Sequence, residues 1–216
     1  MNPSGLKVTG AWFQVGGNLT AAIGTTRGFI GEEKVESKIV IVGSSLQALG
    51  YILQIIASNE NEDEGEREIQ NMCWKNKSEM LDKIGIDLLA LGNISNVIGT
   101  YFNINVQSKE NDYLIIVGNS LQSIGASLGV EAALLEMKAI QRIIILGNSL
   151  QSLGAGLQAY QGIINVLKSE IVKEDSTVDK KNERIIELIG VWIQAIGTAI
   201  SAIGLTIIGK EERLEK

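Results

Sequence analysis

With 216 residues the chain is long enough to bury a core of its own, and its single cysteine, Cys73, excludes an internal disulfide framework and any multi-cysteine metal site. Histidine is absent, which removes Ser-His, Cys-His and His-metal chemistry and leaves a non-enzymatic protein without a cofactor as the expectation. A formal net charge of −6 and a pI near 4.9, with no basic cluster, argue against nucleic acid as a partner, because such affinity rests on Lys and Arg neutralising phosphates.

The opening residues lack the basic segment, apolar run and small-residue cleavage site of a signal peptide, so the expected location is the cytoplasm. Apolar periodicity predicts a first helix over about 6–26, with Gly28 and Gly31 marking the turn after it. A second helix over 34–58 has Ser37 as its N-terminal signal. The charged stretch 59–68 reads as a solvated linker, and a short amphipathic helix near 65–75 places Cys73 beside Trp74. Ser78 signals a third helix over 77–103, and a fourth and fifth follow over 110–138 and 139–170. A second charged break, 173–181, contains the Ser176 to Asp179 box that opens a sixth helix over 180–209. The one proline, Pro3, lies outside every predicted element, which suits long uninterrupted helices.

Each long helix carries one copy of an eight-residue motif bounded by glycines. Gly118 to Gly125 reads Gly-Asn-Ser-Leu-Gln-Ser-Ile-Gly, and Gly147 to Gly154 differs from it only in Leu153 for Ile124. Gly43 to Gly50, Gly190 to Gly197 and Gly10 to Gly17 keep the glycines and the glutamine, the last two sharing a tryptophan at Trp12 and Trp192. Gly85 to Gly92 is the weakest copy, with Leu89 where glutamine belongs. With the seven-residue extensions to Gly24, Gly99 and Gly204, fifteen of the 24 glycines fall on this register.

Seven residues are nearly two helical turns, so the paired glycines share one side of the helix, drifting by roughly 20° per repeat. Glycine inside a helix costs about 0.8 to 1 kcal/mol relative to alanine, and close helix-to-helix approach is the natural compensation. The candidate packing and assembly residues are therefore Gly43, Gly50, Gly118, Gly125, Gly147, Gly154, Gly190 and Gly197. Gln47, Gln122, Gln151 and Gln194 join them, about 40° from the glycine line, either buried and hydrogen-bonded or exposed at the edge of the stripe. Leu121 and Ile124 are placed on the same broad face as Gly118, and Ile116, Ile41 and Ile145 on the opposite one. Trp12 and Trp192 read either as interface anchors or as core.

Apolar residues on more than one face predict burial on more than one face, and self-association into a filament or regular homo-oligomer is the economical outcome. Uncharged stretches over 39–59, 143–167 and 189–209 are each long enough to span a bilayer, although their Asn, Gln and Ser residues weigh against it. A membrane-embedded or membrane-active bundle is the alternative.

Other motifs carry little chemistry. Gly204 to Lys210 matches the start of a phosphate-binding loop, but Glu211 stands where Ser or Thr must bind magnesium, and the segment reads as a helix end capped by Gly209. Gly154-Ala155-Gly156 lies inside a helical repeat, and Asp87, Glu131 and Glu187 read as solvated or salt-bridged helix edges.

At the Gly-Asn-Ser-Leu-Gln-Ser-Ile-Gly copies, and at the stretch Trp192 to Gly204, the chain resembles a group of uncharacterised repetitive proteins of spore-forming bacilli. The resemblance covers the repeat segments and not the charged connections; it implies a sporulation-related structural role and imports no active site. The resulting fold expectation is a single all-α domain over residues 1–216, with about six glycine-heptad helices in a tightly packed bundle or helical-repeat array.

Overall fold

The computed structural model describes residues 3–62, 72–136, 138–171 and 177–214. They form six helices and no strand: α1 (Pro3–Phe29), α2 (Glu33–Glu62), α3 (Met72–Asn105), α4 (Lys109–Glu136), α5 (Gln141–Ile171) and α6 (Thr177–Leu214). The all-α expectation holds; α1, α2, α3 and α6 run further than expected at both ends, whereas α4 ends at Glu136 and α5 begins at Gln141, each two residues short of the expected joint. Glu, Lys and Asn continue a helix at modest cost once it is nucleated, so charge marks the end of packing rather than the end of the helix.

Several boundaries shift accordingly. Residues 59–62 of the expected linker are the last turn of α2, and 177–181 of the second break are the start of α6. Of the short helix expected near 65–75, residues 72–75 belong to α3, and the remainder lies outside the described residues, as do 63–68 and 173–176 of the two linkers. Pro3 is the first residue of α1, where its missing N–H costs no hydrogen bond. Ser37 and Ser78 lie within helices; the Ser37 hydroxyl donates back to Glu33 O, and that of Ser78 crosses to Ala132 O at 2.9 Å. Gly209 is not a cap, since α6 continues to Leu214 and Gly209 packs against Ser4 and Val8.

The turn between α1 and α2 follows a Schellman pattern: Glu32 N donates to Arg27 O and Gly31 N to Gly28 O, with Gly31 at φ 101°. Among the described residues, that left-handed backbone is the one place where glycine is required by conformation.

Each helix packs against its neighbours in sequence, and α1 packs against α6. No other pair packs backbone to backbone among the described residues, so the six antiparallel helices close a ring. Glycines zip three of its seams. Gly10 faces Gly50 and Gly17 faces Gly43 between α1 and α2; Gly85 faces Gly125 and Gly92 faces Gly118 between α3 and α4. Between α5 and α6, Gly147 faces Gly197 and Gly154 faces Gly190. A Cβ on Gly50 would lie 2.5 Å from the Gly10 carbonyl oxygen, and one on Gly154 would lie 2.5 Å from that of Gly190. The Cα hydrogens there point at facing carbonyls, a geometry of weak hydrogen bonds that only glycine permits at this separation.

The buried apolar groups are mostly small: Ala11, Val15 and Ala202 form one cluster, Ala22, Val191 and Ala195 another, and Tyr51, Ile86, Leu89, Ala90 and Ala126 a third. Large apolar side chains lie largely outside.

Candidate functional site

The ring encloses a polar lumen, and the repeat dictates its lining. One residue after the first glycine is about 100° round the helix and four residues after is about 40°, so both point to one side of the glycine line. Six residues after lies about 120° the other way. Once glycine seams join neighbouring helices, the first pair of positions faces the lumen and the last faces outward.

Gln14, Gln47, Gln122, Gln151 and Gln194 are all buried, and Gln122 is only 2% exposed. Asn18, Asn93, Asn96, Asn119, Ser44 and Thr198 are buried with them. The outward position holds Leu49, Leu91, Ile124, Leu153 and Ile196, and Ile124 is 53% exposed. Ile124 therefore does not share the glycine face, because glycine seams take up only the side where helices meet. Ile41, Ile116 and Ile145 are half-buried, Ile116 beside Gly162 of α5, and the residues after them, Val42, Val117 and Leu146, take the exposed positions. Gly16, in place of the usual Ile or Leu, is likewise outward and meets nothing within 4 Å.

Two chambers occupy the lumen. One, of about 230 Å³, is lined from all six helices, including Gln14, Tyr51, Leu89, Gln151 and Ser201. The other, of about 420 Å³, is lined by Asn18, Gln47, Asn93, Asn119, Gln122, Gln158 and Gln194 among others. A waist of hydrogen bonds lies between them. Gln151 Nε2 donates to Tyr51 Oη at 2.5 Å, from α5 across to α2, and Gln194 Nε2 donates to Gln122 Oε1 at 2.7 Å, from α6 across to α4. Neither pair of helices is adjacent, so both bonds cross the lumen. Gln158 Nε2 donates to Gln194 Oε1, and Asn18 Nδ2 to Thr198 Oγ1 at 3.1 Å. Four buried atoms lining the chambers have no partner: Gln14 Nε2 in the first, and Gln47 Oε1, Asn93 Oδ1 and Asn96 Oδ1 in the second.

Charged side chains sit at the mouths. Lys7 of α1 pairs with Asp82 of α3 at 2.8 Å. At the opposite end Arg184 of α6 pairs with Glu36 of α2 at 2.5 Å, lies 3.7 Å from Glu33, and donates to Gly28 O at 3.0 Å. Each pair straps two helices across the one between them.

Each helix carries one long stretch without Asp, Glu, Lys or Arg: residues 8–26, 39–59, 88–105, 113–130, 143–167 and 188–209. The two shortest, 88–105 and 113–130, are about 27 Å long at 1.5 Å per residue, close to the roughly 30 Å hydrocarbon thickness of a bilayer. The α3 stretch is displaced from that of α4: exposed Asp87 lies between Gly85 and Gly92, which face Gly125 and Gly118, so its carboxylate stands on the exterior at the level of the α4 stretch. Three helices, α2, α4 and α6, are long and apolar enough by length and composition to cross a membrane. The sequence singled out the α5 stretch rather than that of α4, but Gln151, Gln158 and Gln161 dilute its hydropathy. Exposed Tyr101, Tyr113, Tyr160 and Trp192 lie toward one end of the apolar belt, with Trp12 and Phe13 toward the other.

The glycines singled out from sequence thus lie in seams within the chain, and the glutamines line the lumen. Trp12 and Trp192 lie on the exterior at 46% and 38% exposure, donating to Thr206 and Thr26. Asp87 is exposed, Glu131 pairs with Lys77 at the surface, and Glu187 is at a mouth. Gly154-Ala155-Gly156 and Gly204 to Lys210 are helical, with no loop to cradle a phosphate. Sequence reasoning missed Tyr51 and Arg184. Tyr51 follows Gly50 as Asn119 follows Gly118, and that shared position is the signal that could have found it.

No curated protein and no solved structure matches the chain. A family model described as "Family of unknown function (DUF6944)" matches residues 5–202, and the chain belongs to that family.

Proposed function

We propose that the chain is a membrane-embedded six-helix barrel, a non-enzymatic structural unit that seats an apolar exterior in lipid around a polar lumen. The observation that carries this is the inverted partition of side chains: carboxamides and hydroxyls inside, Leu, Ile, Val and Trp outside, along a belt that α3 interrupts with Asp87. In water such an exterior is unfavourable by about 25 cal/mol for each Å² of apolar surface left uncovered, whereas lipid removes that cost. Aromatic side chains toward both ends of the belt suit the two membrane interfaces. The resemblance to repetitive proteins of spore-forming bacilli extends the proposal to membranes of the sporulating cell.

A second reading uses the same exterior for self-assembly, with further copies of the chain covering it in a filament or regular homo-oligomer. Ser45 and Ser149 favour it, since they are exposed within the belt and a neighbouring chain can offer their hydroxyls partners. Expression followed by flotation and an alkaline wash separates the two. The membrane reading expects the protein to float with membranes and to be released only by detergent. A regular, detergent-free particle seen by sedimentation and negative-stain electron microscopy would establish the second reading instead, and a stable soluble monomer would overturn both.

A further inference from the structure

The lumen is the feature that neither lipid seating nor assembly accounts for. Resting on the membrane reading, we propose that it is a passage for small uncharged solutes of the polyol and amide class, such as glycerol and urea, closed at its waist by the Tyr51–Gln151 and Gln122–Gln194 bridges.

The lining chemistry selects this class. Carboxamides offer donors and acceptors together, as polyols and amides do. A donor, Gln14 Nε2, stands without a partner on one side of the waist, and three acceptors, Gln47 Oε1, Asn93 Oδ1 and Asn96 Oδ1, stand without partners on the other. All four side chains are more than nine-tenths buried. Buried polar groups in proteins are normally satisfied, so orphans on both sides of a waist mark places where a hydrogen-bonding solute or water is held. The chambers of about 230 and 420 Å³ have room for one, since a water takes about 30 Å³ of liquid volume.

Ions are disfavoured on the same ground. An ion entering the charge-free section loses hydration and meets no opposite charge. The Lys7–Asp82 and Arg184–Glu36 pairs hold their charges at the mouths.

The closure is made of side chains alone. The waist bonds join α2 to α5 and α4 to α6, pairs whose backbones do not pack together. A change of rotamer at Tyr51 or Gln194 therefore opens the waist without moving a helix.

Purified full-length protein reconstituted into phospholipid vesicles tests this by stopped-flow light scattering with glycerol or urea as the osmolyte, alongside sodium uptake. The parent is expected to stay near empty vesicles. Tyr51→Ala is expected to raise glycerol and urea permeation several-fold, and Tyr51→Phe, which keeps the ring against Ile86 and Leu89, to raise it less, with sodium uptake unchanged. If both variants insert, retain their helical circular dichroism and still match empty vesicles, the passage is overturned while the membrane reading stands. An equal rise in sodium uptake overturns the choice of neutral solutes. Failure of the parent to float with vesicles removes the membrane reading, and this inference with it.

Discussion

Trp12 and Trp192 are reciprocal partners at the seam that closes the ring: Trp12 Nε1 donates to Thr206 Oγ1 of α6, and Trp192 Nε1 donates to Thr26 Oγ1 of α1, each at 3.1 Å. The two tryptophan-bearing repeat copies thus lie side by side and antiparallel. Their shared tryptophan is a closing device on the outside of the barrel. Replacing either Trp by Phe keeps most of the apolar surface and removes one exposed neutral hydrogen bond, so each is expected to cost about 0.5 to 1 kcal/mol. Chemical denaturation should show the two losses adding, because the two indoles share no partner.

Glycine substitutions should divide by seam and exterior. Gly50→Ala and Gly154→Ala place a methyl 2.5 Å from a facing backbone carbonyl, which cannot rotate away, and each is expected to destabilise by about 3 kcal/mol or more. Gly125→Leu and Gly154→Leu should abolish folding. Gly16→Ala, at a helical position with open space, should stabilise by up to about 1 kcal/mol. Thermal denaturation followed by circular dichroism reads both directions. If Gly50→Ala melted with the parent, close packing at the seam would be wrong.

The waist bridge lends itself to a double-mutant cycle. Gln122→Leu leaves Gln194 Nε2 buried without its acceptor, a loss of about 1 to 3 kcal/mol, and Gln194→Leu strands Gln122 Oε1 in the same way. Removing both amides together should recover part of that loss. Strict additivity of the two single changes would mean that the amides do not meet.

Much of the architecture is legible in the residues themselves. The spacing of Gly118 and Gly125, or of Gly147 and Gly154, specifies a helix with a bare side, and Gln122 or Gln151 four residues on must lie beside it. The helix ends were misjudged where charged residues stop packing but continue the backbone, as at 59–62 and 177–181. The outward placement of Ile124 was missed because a broad apolar arc holds both seam and exterior residues.

Periodicity alone specifies the six long helices and the angular order of glycine, carboxamide and large apolar residue around each. Periodicity measures angles between faces and carries no sign for inward or outward, so the same pattern suits a dry apolar bundle, a stack or a barrel. The tertiary structure decided that question by pairing glycine seams within the chain and closing α6 onto α1. Helices joined edge to edge in a ring leave a centre that no backbone fills, so Gln122, Gln151 and Gln194 face one another there, and Ile124, Leu153 and Ile196 face away.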